Sequence, residues 1–170
     1  MRQHDSISYL FEPIVYSLYQ MNESIGQLRE EHRFLQVSLQ ELSLLAREME
    51  RKTVVSLEDD TLRNLKIKGF AFKRDLDNHA VWEEQVLFPM IAWYLGEEPE
   101  QLTLMEQDHV IADSYIQAFL DVLERLPVRN NEDQAMANCL SQAKVILNDH
   151  FRLEEEVLVK LLDCSNSVDY

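Results

Sequence analysis

Residues 79–89 read His-Ala-Val-Trp-Glu-Glu-Gln-Val-Leu-Phe-Pro. Counted at helical spacing, His79 shares one face with Phe72, Leu76, Trp82, Glu83, Val86 and Met90. That is the apolar stripe of a helix packed on a core. A histidine and a carboxylate in its middle are costly to bury unless a partner or a metal offsets the cost. The stretch therefore raises both a fold question and a chemical one.

Working outward, the chain shows four long helical patterns. The first is predicted over Asn22–Arg51, with Ile25, Leu28, Leu35, Leu39, Leu42 and Leu45 inward. The β-branched run Thr53–Leu57, with its serine, suits a turn ending at an N-cap. The second pattern covers Glu58–Leu95, and Pro89 should kink or close its last turns. Gly96–Pro99 makes the next break. The third helix is predicted over Glu98–Leu126 with Leu102, Met105, Ala112, Ile116, Phe119 and Leu123 on one face. Pro127 and Asn130-Asn131 end it. The fourth covers Glu132–Asp163, with Leu140, Ala143, Ile146, Leu147, Leu153, Val157, Leu158 and Leu161 inward. Short loops between helices of similar length imply an all-α, up-down-up-down four-helix bundle over residues 22–164. Residues 1–21 read as a short N-terminal arm and residues 165–170 as a tail.

Composition agrees. Three glycines and four prolines among 170 residues argue against a turn-rich β fold. A formal net charge of −15 makes nucleic acid and anionic membranes poor partners. Cys139 and Cys164 form no disulfide framework and suit a reducing cytoplasm. With neither an export signal nor a spanning segment, the expectation is a cytoplasmic protein, monomeric or homodimeric.

Four of the five histidines fall one per helix, each on its stripe: His32, His79, His109 and His150. His4 sits in the arm. About 19 residues follow His32 in its helix and about 21 precede His79 in the next, a difference in level of about 3 Å at about 1.5 Å per residue. His109 and His150 match equally well. Across the break between the second and third helices the match is looser, about 16 residues against about 11, with Pro89 blurring that boundary, so the four can converge on a common site. Glu83 and Glu154 follow His79 and His150 by four residues, which puts each on its histidine's face. Imidazole nitrogens with carboxylate oxygens suit first-row transition metals. A pair of ions would offset the burial of His79 and Glu83.

The ordered set His32 in EEHRFL, HAVWEEQVLFP, His109 in EQDHVIA, and HFRLEEEVL with His150 and Glu154 resembles the hemerythrin-like (HHE cation-binding) family. The resemblance implies a non-haem di-iron centre, its two Fe ions bridged by oxo, hydroxo or water, although other divalent metals could bind. It implies that His32 and His79 hold one iron and His109 and His150 the other, bridged by Glu83 and Glu154. Oxygen-carrying members have a further histidine at the position of Asp113, which is thus a candidate seventh ligand and puts reversible oxygen carriage in doubt. The adjacent Glu84, Glu155 and Glu156 read as solvated or supporting residues. The family resemblance favours a module binding or sensing O₂, NO or iron status. The second reading is a di-iron redox enzyme acting on peroxide or NO, or donating iron for iron–sulfur cluster repair. Repair-associated members carry an N-terminal cysteine domain not seen in these residues. A ferritin-like oxidase wants Glu-x-x-His on two helices; Glu106–His109 supplies one, but Leu76 and Leu147 stand where the others should be.

Overall fold

The computed structural model describes residues 18–52, 56, 58–126 and 132–166. Helix α1 spans Leu18–Glu50 and α2 spans Asp60–Trp82. A π-helical segment, Glu83–Leu87, runs on into α3, Phe88–Leu95; α4 spans Glu100–Arg125 and α5 spans Glu132–Asn166. No strand occurs among the described residues. Helix α1 packs on α2 and α5, and α4 packs on α5 and α2, so the four long helical runs close a bundle. Of the arm expected at residues 1–21, residues 18–21 belong to α1 and Met21 is buried in the core, while residues 1–17 lie outside the described residues, as do 167–170 of the expected tail.

The corner between α1 and α2 is fixed by Asp59, not by the serine of the Thr53–Leu57 run. Asp59 is the N-cap of α2, and its Oδ1 accepts from the Thr61 and Leu62 amides at 2.9 and 3.2 Å. Lys52 Nζ donates to both Asp59 oxygens at 2.7 and 2.8 Å, tying the end of α1 to the start of α2. The next break matches its sequence more simply. Gly96 adopts φ 74° at the end of α3, a left-handed conformation that glycine takes without strain.

Two sequence expectations fail for one kind of reason, helical phase. The Phe88 amide bonds to the Glu83 carbonyl, five residues back, so the turn holds an extra residue. The inward face shifts at that turn: Val86, expected inward, is 40% exposed and Leu87 is fully buried instead, while Met90 is buried as expected. Pro89 does not interrupt the run; it sits in the first turn of α3, where a missing N–H is tolerated. On α5 the inward line is Leu147, His150, Phe151, Glu154 and Leu158, which leaves Leu153 46% exposed. The side chain of Leu161 lies outside the described residues.

The buried apolar residues form two clusters. The larger includes Leu35, Leu39, Leu76, Ala112, Phe119, Leu147 and Phe151. The smaller includes Met21, Leu28, Leu87, Phe88, Met105 and Leu158. Along α1 the chain passes from the smaller cluster through His32 into the larger. From α2 into α3 it passes from the larger through His79 and Glu83 into the smaller. Helix α4 repeats the first direction through His109, and α5 the second through His150 and Glu154. The polar residues thus form a belt between two apolar masses.

Candidate metal centre

All six residues singled out from the sequence lie in this belt. His32, His79, Glu83, His109, His150 and Glu154 are each buried, and both glutamates have no exposure. They form two groups of donor atoms, each within 4.8 Å: His32, His79, Glu83 and Glu154 in one, Glu83, His109 and His150 in the other. Glu83 belongs to both. Its Oε1 lies 2.7 Å from His79 Nε2 and 3.6 Å from His32 Nε2, while its Oε2 lies 2.9 Å from His109 Nε2. Glu154 Oε2 stands 3.2 Å from His32 Nε2 and 3.6 Å from His150 Nε2. The π-segment begins at Glu83, so the widened turn lies where the chain must present this carboxylate and then restore its apolar face.

These contacts are close but poorly aimed. His32 Nε2, His79 Nε2 and all four oxygens of Glu83 and Glu154 have no partner in hydrogen-bond geometry, though each is shut off from solvent. Buried polar atoms are normally satisfied, because leaving one unpaired costs about 1–3 kcal/mol and more for charged groups. Here they cluster, and they carry the nitrogen and oxygen donors that a transition metal accepts. The donor set fits a metal pair on the evidence of its own unpaired atoms.

The electrostatics say the same. Burial pushes the His32 and His109 imidazoles down, but the facing carboxylates, Glu154 and Glu83 for His32 and Glu83 for His109, outweigh it and raise each to about 9. His79 is also raised, Glu83 again overcoming burial. Glu83 itself is held well below the usual range against burial, by His109, His32 and His79. Burial and repulsion from Glu83 push Glu154 up to about 7, and burial with the His109 charge pulls His150 down to about 4. Protons thus neutralise the belt when no cation does, and a bound metal would displace them.

Each histidine also presents its other nitrogen to a carboxylate. Nδ1 of His79 meets Glu31 at 2.7 Å, Nδ1 of His32 meets Glu155 at 2.8 Å and Nδ1 of His109 meets Glu84 at 2.8 Å. His150 Nδ1 lies 3.5 Å from Asp108, too far for a good bond. Aromatic rings line the belt. Phe151 stacks on His32 with centroids 4.2 Å apart and meets His79 and His150 edge-on, and Phe88 lies parallel to His109 at 6.3 Å. A largely apolar cleft of about 280 Å³ between α2 and α4 reaches His109, with Ala80, Glu84, Ala112 and Asp113 among its lining.

Asp113, the candidate seventh ligand, does not join either group. Its side chain is 48% exposed and its Oδ1 lies 2.8 Å from Lys73 Nζ, which turns it to the cleft wall. Glu156 faces solvent and pairs with Arg152. Glu31, Asp108 and Phe151 were missed by sequence reasoning. The first two carry a legible signal, since an acidic residue directly precedes His32 and His109 just as one follows Glu83 and Glu154. No described helix is long and apolar enough to cross a membrane.

Among known families, the model for the hemerythrin HHE cation binding domain matches residues 23–162. No curated protein and no solved structure matches the chain.

Proposed function

The chain belongs to the hemerythrin HHE cation-binding domain family, and from that premise we propose that it is a non-haem di-iron protein that binds or senses O₂, NO or iron status. His32 and His79 would hold one iron and His109 and His150 the other, with Glu83 and Glu154 spanning the two. One observation carries the reading: the two oxygens of Glu83 divide between the histidine pairs, Oε1 toward His32 and His79, Oε2 toward His109. A carboxylate so placed can serve two ions at once. The alternating passage of the helices between the two apolar clusters supports an up-down-up-down course, which brings the four histidines to one level.

When bound, a di-iron pair supplies reversible redox chemistry and a position that a diatomic ligand can take. The protein's own contributions are separable from that. Phe151, Phe88, Leu28, Leu35 and Met105 keep bulk water from the donors. Glu31, Glu155 and Glu84 face the outer nitrogens of three of the imidazoles. The apolar cleft at His109 admits small neutral molecules more readily than hydrated ions. Asp113 stays with Lys73, which leaves the His109 side with one histidine fewer than the oxygen-carrying members.

Metal analysis of protein purified without chelators, joined to Mössbauer spectra before and after O₂ and NO, tests the reading. It expects two irons per chain and a spectrum that changes with either gas. Fewer than one iron per chain after anaerobic loading would overturn it. Steady-state consumption of NO or peroxide would instead mark an enzyme.

A further inference from the structure

The residues just outside the donor set follow a rule of placement. Glu31 precedes His32 on α1 but reaches His79 on α2. Glu84 follows Glu83 in the π-helical segment that continues α2 and reaches His109 on α4. Asp108 precedes His109 on α4 and faces His150 on α5. Glu155 follows Glu154 on α5 and reaches His32 on α1. Each helix that supplies a donor also supplies, from the neighbouring residue, an acid aimed at the histidine of the next helix around the bundle. The round closes on itself.

We infer that Glu31, Glu84 and Glu155 are positioning residues: each accepts a hydrogen bond from Nδ1–H of the next helix's histidine and so turns its Nε2 toward the centre of the belt. The chemistry requires a fixed tautomer. A neutral imidazole offers a lone pair at only one nitrogen, and a hydrogen bond at Nδ1–H leaves that lone pair on Nε2. Side-chain exposure is 34% for Glu31 and Glu155 and 38% for Glu84. These carboxylates are therefore shielded enough to bond firmly, yet outside the apolar packing. The fourth link is the weak one. At 3.5 Å Asp108 leaves His150 Nδ1 without a hydrogen bond, and His150 Nε2 lies 3.1 Å from His109 Nε2 instead. The ring that holds three histidines leaves His150 the loosest, so the His109–His150 side is the less firmly organised of the two.

Two arms test this. In metal-free protein, proton NMR should show slowly exchanging, downfield Nδ1–H signals for His32, His79 and His109 but not for His150. Glu155→Ala, Glu31→Ala and Glu84→Ala should each abolish one of them, and the Gln variants, whose amide oxygen still accepts, should keep it. The second arm rests on the metal reading above. Fe(II) or Co(II) competition against a chelator should show each Ala variant binding about 10–100-fold more weakly, with most of the loss recovered by Gln. Asp108→Ala should change affinity less than threefold. Melting of the metal-free variants separates positioning from packing. Unchanged signals and unchanged affinity in the Ala variants, or equal destabilisation by Ala and Gln without metal, would overturn the inference. A wild type that binds no metal but shows the three signals would sink the di-iron reading and leave the positioning intact.

Discussion

The larger apolar cluster and the histidine belt are buried alike, and they are opposites in how the burial is offset. Phe119, Leu123 and Met136 in the cluster have no exposure, and neither have Glu83 and Glu154 in the belt. The cluster gains from its burial directly, at about 25 cal/mol per Å² of apolar surface. The belt places two carboxylates and four imidazoles out of water and leaves most of their inner atoms unpaired. A region that costs stability in a protein otherwise built to gain it is a region kept for chemistry.

The contrast predicts opposite responses to substitution. Replacing His79 and Glu83 together by leucine removes a donor from one group and the shared donor from both. Metal uptake should fall from two ions to none, read by elemental analysis. The metal-free protein should lose less than the apolar cluster does on truncation. Swapping a buried pair such as His79–Glu83 for apolar residues is often neutral or stabilising by about 1–4 kcal/mol, against which His32 and His109 lose their facing carboxylate. A double variant that still bound iron fully would erase the distinction between the two regions.

Phe119→Ala is the mirror experiment. Phe119 is among the largest fully buried side chains and lies in the apolar cluster. Its truncation should cost about 3–5 kcal/mol in chemical denaturation. Metal stoichiometry of the folded fraction should stay at two. A loss of metal equal to that of the belt variant would mean that the two regions are not separable.

The belt should also make metal-free stability depend on pH. His32 and His109 have folded values of about 9 against an ordinary 6.5. Each therefore contributes stability that is complete below about pH 6.5 and is lost as pH rises through about 9. Glu83, held low, acts at the other end: its contribution is present above the ordinary carboxyl value of 4.5 and is lost in acid. The metal-free protein should melt highest in mild acid and several degrees lower near pH 9. The metal-loaded protein should lack the alkaline fall, because ligated imidazoles have no such proton to lose. Parallel melting curves across pH would show whether the protons and the metal compete for the same atoms.

The same contrast explains what the sequence could show. The apolar cluster announces itself by period: Leu35, Leu39 and Leu42, or Ala112, Ile116, Phe119 and Leu123, recur every three or four residues, and all are buried. The six inner residues of the belt were legible as violations of that period. What was not legible is where the period itself changes. Nothing in Glu83–Leu87 distinguishes a π-turn from an α-turn, since both use the same residue types, so Val86 and Leu87 were exchanged. Glu31 and Asp108 escaped for a different reason. Their place beside His32 and His109 was legible, but their partners are on a neighbouring helix, so no count along one helix could join Glu31 to His79 or Asp108 to His150.

Asp113 tests how far the belt extends. It sits four residues after His109, on the face that points toward the belt, yet Lys73 draws its carboxylate to 2.8 Å and Asp77 shares the same lysine at 2.6 Å. Its cluster is a half-exposed ion pair on the cleft wall, the kind that contributes about 0–1 kcal/mol. Asp113→Ala should therefore change melting by no more than that and leave two ions per chain, since Lys73 keeps Asp77 and neither donor group loses an atom. If elemental analysis instead found one ion missing, the aspartate would have to swing away from Lys73 when metal enters. The boundary between belt and surface would then lie one helical turn further along α4.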